Sequence, residues 1–192
     1  MRDLKPAAAN LFRLKDCIRP ATEQEVRQRA RRGREWNRLI EQGVCHTCQR
    51  IAGGEATSNP DGALLFDNER CFAVLEQYPR GLGHTILIAK PHVPDIAGLS
   101  DEFGSELMAV MLKLTRALKT VTACDKVYQV TMCSGPLSHL HFQLIPRLPG
   151  DRIGGGVFSS TRKYLASAEP LAGAIRAELV RALGTDDGVA PA

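Results

Sequence analysis

No stretch of about 18 consecutive apolar residues occurs in this chain, so no membrane-crossing helix is expected. The opening residues MRDLKPAAANLFRLKDC lack the continuous apolar core of a secretory signal, and Asp3 and Asp16 weaken a transit-peptide reading. A cytoplasmic location is the expectation. No internal repeat is present, and nothing matches a P-loop or a dinucleotide fingerprint. Ser134 and Ser138 lack any serine-hydrolase context. Only Cys45 and Cys48, of six cysteines, are closely spaced. In a chain of this kind that argues for metal or redox chemistry over a disulfide framework.

What is present fits one domain with extensions, or at most two small domains, in 192 residues. A hydrophobic content of 44% suffices for a core. The net charge of +4 and pI near 8.8 suit a phosphate-bearing ligand. Residues 1–20 read as an extended arm. Thr22 and Glu25 form a capping box opening a helix over about 23–41. Val26, Trp36, Leu39 and Ile40 are available for its apolar face. Arg27, Arg29, Arg31, Arg32, Arg34 and Arg38 make it basic, either as a solvated face or as a contact for nucleic acid or polyphosphate.

Residues 52–62 are loop by composition. Two apolar runs, Ala63–Phe66 and Cys71–Leu75, read as a hairpin, and His84–Ala89 as a strand. Ser100 caps an amphipathic helix carrying Phe103, Leu107, Met111, Leu114, Leu118 and Val121. Lys126–Cys133 reads as a strand, and a glycine-rich flexible segment follows Arg147. Pro170 opens a last helix over roughly 171–183, and residues 184–192 read as frayed. The order predicts an α+β domain on an antiparallel sheet. The expected division is an arm and basic helix (1–42), a central α+β domain (43–150), and a glycine-rich segment with the C-terminal helix (151–192).

Two patterns carry chemistry. Cys45-x-x-Cys48 has the spacing of zinc ligands, with His92 and His139 as candidate completions. A thioredoxin-like redox pair, the rival, expects the motif to open a helix after a strand, whereas here a helix ends just before it. The second pattern is SHLHFQLIPR, residues 138–147. Leu140, Phe142 and Leu144 alternate with His139, His141 and Gln143, which predicts a strand with three polar groups on one face, ending near Ile145 because Pro146 cannot donate. A neutral His141 could attack phosphorus, provided its other ring nitrogen has an acceptor. Gln143 can donate to a phosphoryl oxygen but cannot shuttle protons, and Arg147 could pair with phosphate.

Three stretches resemble the histidine-triad (HIT) superfamily of nucleotidyl hydrolases and transferases. They are Cys45 to Glu55, Gly83-His84 through Pro91-His92, and His139-Leu-His141-Phe-Gln143-Leu-Ile-Pro-Arg147. The resemblance implies a HIT-like fold and a homodimer. It also implies a covalent nucleotidyl intermediate on His141, and catalytic support from Gln143 and His84. Structural Zn²⁺ held by Cys45, Cys48, His92 and His139, and nucleotide contacts from Glu76, Ser138 and Arg147, are further implications. Glu76 would hold ribose hydroxyls, its rival being an ordinary strand-end carboxylate. Gln143 stands where hydrolase branches carry a third histidine, and resembles the enzymes that pass the nucleotide to a phosphate acceptor. The turn before His139 is short and lacks the usual Gln-Ser/Thr, so Ser134, Ser138 and amides near Gly135 are its candidate substitutes. The implied donor is a dinucleoside polyphosphate or nucleotide-activated small molecule. The alternative is a nucleotide- or nucleic-acid-binding module with weak or lost catalysis.

Overall fold

A computed structural model describes residues 14–53, 63–133, 135 and 137–183. Ser134, most of the arm and of the 52–62 loop, and the 184–192 tail lie outside the described residues. Five antiparallel strands form the main sheet: β2 (Leu64–Asp67), β3 (Cys71–Leu75), β4 (Thr85–Ala89), β6 (His141–Arg147) and β5 (Lys126–Val130), in that spatial order. The helices are α1 (Glu23–Glu41), α2 (His46–Ala52), α3 (Asp101–Thr122) and α4 (Glu169–Leu183). A separate two-stranded ribbon pairs β1 (Ile18–Pro20) with β7 (Lys163–Leu165). The architecture is the expected α+β type.

Local signals set the helix starts. The Thr22 hydroxyl accepts from the Glu25 N–H, and Glu25 reaches back to the Thr22 N–H at 2.8 Å, the reciprocal bonds of a capping box. The Ser100 hydroxyl accepts from the Phe103 N–H at 3.2 Å. Helix α3 buries Phe103, Leu107, Met111, Leu114 and Leu118 against Ala73, Leu75, Leu87, Phe142 and Leu144. Full burial of each large apolar side chain is worth about 1.5–3 kcal/mol, so this layer fixes the sheet. Helix α4 joins it through Leu171, Ile175 and Leu179.

Several expectations need correction. The β6 strand does not stop at Ile145 but runs through Pro146 to Arg147. Pro146 pairs with Val127 of β5, while the ladder to β4 has already ended at Leu144 opposite Thr85. A missing N–H therefore breaks no bond on that flank. Both faces of β6 are covered, not one. Helix α1 buries none of its residues, and Val26 and Trp36 are exposed. Strand β5 ends at Val130 rather than Cys133, and the end of the arm and the segment after Arg147 are not simply extended or flexible, since they supply β1 and β7.

One glycine is required by geometry. Gly83 has φ +79°, and a Cβ there would meet Thr122 Cγ2 at 2.9 Å and Leu118 Cδ2 at 3.2 Å. The close approach seats the turn before β4 against α3. Gly83→Ala adds a left-handed penalty of about 1–2 kcal/mol to an overpacking cost of about 1–3 kcal/mol. A loss of roughly 2–5 kcal/mol is the expected result of urea unfolding, and an unchanged midpoint would contradict this reading.

Candidate functional site

His141, Gln143 and Ile145 project from β6 on the face opposite α3, because Leu140, Phe142 and Leu144 occupy the core face. Ile86 of β4 stands opposite Gln143, and Ile88 opposite His141. His141 is half-buried, and its Nδ1 lies 2.9 Å from the backbone oxygen of His139. An acceptor at Nδ1 places the proton there and leaves the Nε2 lone pair free. That is the tautomer a nucleophilic imidazole needs.

His84 is buried at the start of β4, with Nδ1 accepting from the Arg80 N–H at 3.2 Å. Burial, reinforced by Arg162 and Arg80, pushes its pKa down to about 3, so it is neutral with the proton on Nε2. Nε2 has no hydrogen-bond partner among the described residues. The Gln143 amide lies near enough to favour the protonated form, although no bond of normal geometry joins them. Gln143 itself is buried.

The cysteine pair and two histidines converge. Cys45 Sγ lies 3.5 Å from His139 Nδ1, and Cys48 Sγ lies 3.4 Å from His139 Nδ1 and 3.3 Å from His92 Nδ1. All four donor atoms fall within 4.8 Å of one another. Nε2 of His139 donates to the Ala89 carbonyl at 2.6 Å, which holds the ring with Nδ1 unprotonated toward the sulfurs. Burial, with Cys45 adding to it, pushes the Cys48 thiol up to about 11 when nothing neutralises the pair. Metal–sulfur bonds near 2.3 Å and metal–nitrogen bonds near 2.0–2.1 Å at tetrahedral angles place S and N about 3.6 Å apart. The donor set therefore fits a four-coordinate ion.

The distinction from a redox motif holds only in part: the element before the pair is the helix α1 and not a strand, but Cys45 is the N-cap of α2, so the motif does open a helix. What distinguishes it is the arrival of His92 and His139, from segments far apart in the chain. The ring of Trp36 packs on His46, inside the motif, at 4.8 Å between centroids.

The remaining candidates are dispersed. Glu76 lies just beyond β3, half-buried, and accepts from the Tyr78 N–H at 3.0 Å. The Ser138 hydroxyl donates to the Gly135 carbonyl at 3.1 Å. Arg147, six positions along β6 from His141, pairs with Asp125 at 2.5 Å. Sequence reasoning missed Arg80 and Arg162, which flank His84 and Glu76. A charged residue inside Pro79-Arg80-Gly81 was the only signal for the first, and none existed for the second. The basic helix also has partners in its own chain: Arg32 donates to the buried Gln77, and Gln28 meets the Tyr78 hydroxyl at 3.4 Å.

Comparison with known proteins is consistent with this geometry. The HIT domain pattern matches residues 57–150. Adenosine 5′-monophosphoramidase of Schizosaccharomyces pombe is 30% identical over 98 residues, which cover 48% of this chain and 69% of that protein. AP-4-A phosphorylase of Mycobacterium tuberculosis is 30% identical over 126 residues, 57% of this chain and 64% of the phosphorylase. The chain thus spans somewhat under two thirds of the phosphorylase's length. A Zn-bound histidine triad family protein from Mycobacterium smegmatis superposes with a TM-score of 0.58 at 21% identity, covering 73% of this chain and 96% of that one. A histidine triad nucleotide-binding protein from Sulfolobus tokodaii gives 0.57 at 23% identity, covering 74% and 99%.

Proposed function

This chain belongs to the histidine-triad (HIT) family, and on that premise we propose that it is a nucleotidyl transferase or hydrolase working through a covalent intermediate on His141. The observation that carries the reading is the Nδ1–H to His139 carbonyl bond, which leaves the Nε2 lone pair of the half-buried His141 free to act as a nucleophile. Nε2 attacks the α-phosphorus of a nucleotide, a P–N bond forms, and the leaving group departs with the electron pair of the broken bond. An acceptor oxygen then attacks phosphorus, and the P–N pair returns to Nε2. The developing imidazolium is stabilised by the carbonyl at Nδ1 throughout.

Gln143 is assigned to the phosphoryl oxygens. His84, neutral with its proton on Nε2, faces the amide and would hold its carbonyl end, so that the NH₂ end points at phosphate. Glu76 is assigned to the ribose hydroxyls, and Ser138 with Arg147 to phosphate groups. The donor is a dinucleoside polyphosphate or a nucleotide-activated small molecule. Glutamine has no titrating proton to move between an attacking water and a leaving group, so a phosphate-bearing acceptor, already anionic, is favoured over water. This follows the chemistry of the residue and agrees with the phosphorylase among the relatives.

We assign Zn²⁺ to Cys45, Cys48, His92 and His139. Four protein ligands leave no open position, so the ion is structural, tying the start of α2 to the turn before β6. When bound it neutralises the two thiols as thiolates and locks His139, the residue whose carbonyl orients His141.

The test begins with intact-protein mass after brief exposure to a donor panel. Acid-labile addition of one nucleoside monophosphate is expected, and no adduct across the panel would overturn the reading. Product analysis then addresses the acceptor. Gln143→His is expected to raise the ratio of hydrolysis to phosphorolysis by about 10²-fold, the lower end of what a positioned acid–base group supplies. An unchanged ratio would remove Gln143 from acceptor choice.

A further inference from the structure

Past Gln143, the catalytic face of β6 continues into a second cleft of about 320 Å³. Ile145, Pro146 and Arg147 form its floor, and residues 150–163 fold over to form the opposite wall. That wall is pinned to the sheet: the Gly154 N–H donates to the Tyr128 hydroxyl at 3.0 Å, and Arg80 donates to the Phe158 carbonyl. The centre of the cleft lies about four residues along β6 from His141, or roughly 13 Å at the strand rise. It is a separate compartment on the same surface.

Its lining is predominantly cationic. Arg80, Arg147, Arg152 and Lys163 line it against one acid, Asp151. Of the four cations only Arg147 has a carboxylate within 4 Å among the described residues. The Nε atoms of Arg80 and Arg147 are buried without hydrogen-bond partners among the described residues. Arg162, next to Lys163 in sequence, lies near Arg80, which adds to burial in lowering the pKa of Arg162, while burial and then Arg29 lower that of Arg80. Packing guanidinium groups together with unfilled donors is unfavourable unless an anion completes the set. Ser160 and Thr161 also line the cleft, the Ser160 hydroxyl donating to the Gly156 carbonyl at 3.2 Å, and guanidinium groups are the usual partners of phosphate.

We propose that this cleft is a second anion-binding subsite, taking a phosphate group other than the one that reacts at His141. The inference rests on the nucleotidyl-transfer reading for its direction. Glu76, assigned there to the ribose, is bonded through its N–H to the His84 carbonyl at 2.8 Å and interacts electrostatically with Arg80 of the cleft and with Arg162, which puts the assigned ribose toward the cleft. A ribose plus one long cationic side chain spans that separation. The substrate class this selects is a nucleotide phosphorylated on a 2′ or 3′ ribose oxygen as well as at the 5′ position. The same chemistry would hold free phosphate, and the experiment separates the two.

Calorimetry is run on full-length His141→Asn, which binds without turnover, and on the same chain carrying Arg152→Gln and Lys163→Gln, both exposed in part or fully at the cleft rim. Inorganic pyrophosphate is expected to bind the first protein and not the second, with both melting in the same range. Adenosine 3′,5′-bisphosphate is expected to bind the first about ten-fold more tightly than adenosine 5′-monophosphate, the scale of charge-assisted hydrogen bonds. The ratio should fall near one in the second. Pyrophosphate binding at the cleft without any nucleotide preference would assign the subsite to free phosphate. Pyrophosphate binding at the cleft with no nucleotide bound at all would overturn the nucleotidyl-transfer reading and leave the anion site standing. Absence of pyrophosphate binding together with equal nucleotide affinities, or binding and preference that survive the two substitutions, would overturn the proposal.

Discussion

His141→Ala is expected to reduce turnover by about 10⁴-fold or more, the scale on which enzymes lose activity when a nucleophile is removed, and to abolish the nucleotidyl adduct. The effect is large because the covalent step has no second candidate nearby. His139 presents its Nδ1 to the cysteine sulfurs and its Nε2 to the Ala89 carbonyl. His84 is buried, neutral, and spends Nδ1 on the Arg80 N–H. Neither has a free ring lone pair to offer a phosphorus atom. Stability should barely move, since His141 is only half-buried. Rapid-quench measurement of the adduct, with melting temperature as control, checks the claim. An adduct persisting in the variant, or full activity, would place the nucleophile elsewhere.

The second large effect is expected on stability. Cys45→Ser should remove the ion and lower the melting midpoint by roughly 8–16 °C. This follows from a loss of about 4 kcal/mol, the linkage energy of a site held at a thousand times its dissociation constant, at about 2–4 °C per kcal/mol for a chain of this size. Zinc-finger sites bind considerably more tightly than this requires. Elemental analysis should give about one zinc per wild-type chain and none in the variant. A strong chelator should bring the wild type down to the variant's midpoint and leave the variant unaffected. Trp36, the single tryptophan, packs on His46 within the motif, so its fluorescence reports the same event without any assay of activity. A metal-free wild type with an unaltered midpoint would refute the assignment.

The two effects are linked through one residue. His139 supplies a candidate ligand from its ring and an acceptor from its backbone, the latter orienting His141. Loss of the ion is therefore expected to reach catalysis through the path of the backbone at residues 139–141, whereas loss of His141 does not reach the ion.

Much of this protein is local in origin and so was written in its sequence. Thr22 and Glu25 define a helix start through bonds three residues apart. The alternation of Leu140, Phe142 and Leu144 with His139, His141 and Gln143 sets which side chains share a face, because a strand has period two. The packing face of α3 follows from its three- and four-residue steps. Only the tertiary structure decided the rest, and in each case because partners distant in sequence had to meet. Pro146 continues its strand because β4 has ended beside it. β1 and β7 exist only as each other's partner, Ile18 opposite Leu165. The Cys45–Cys48 pair gained His92 and His139 by chain folding over 44 to 94 positions. Arg80, Arg152 and Lys163 form one cleft through a wall folded back over β6. Spacing along the chain encodes a face, while a site that needs charge or ligands from several faces is made only when the core brings them together.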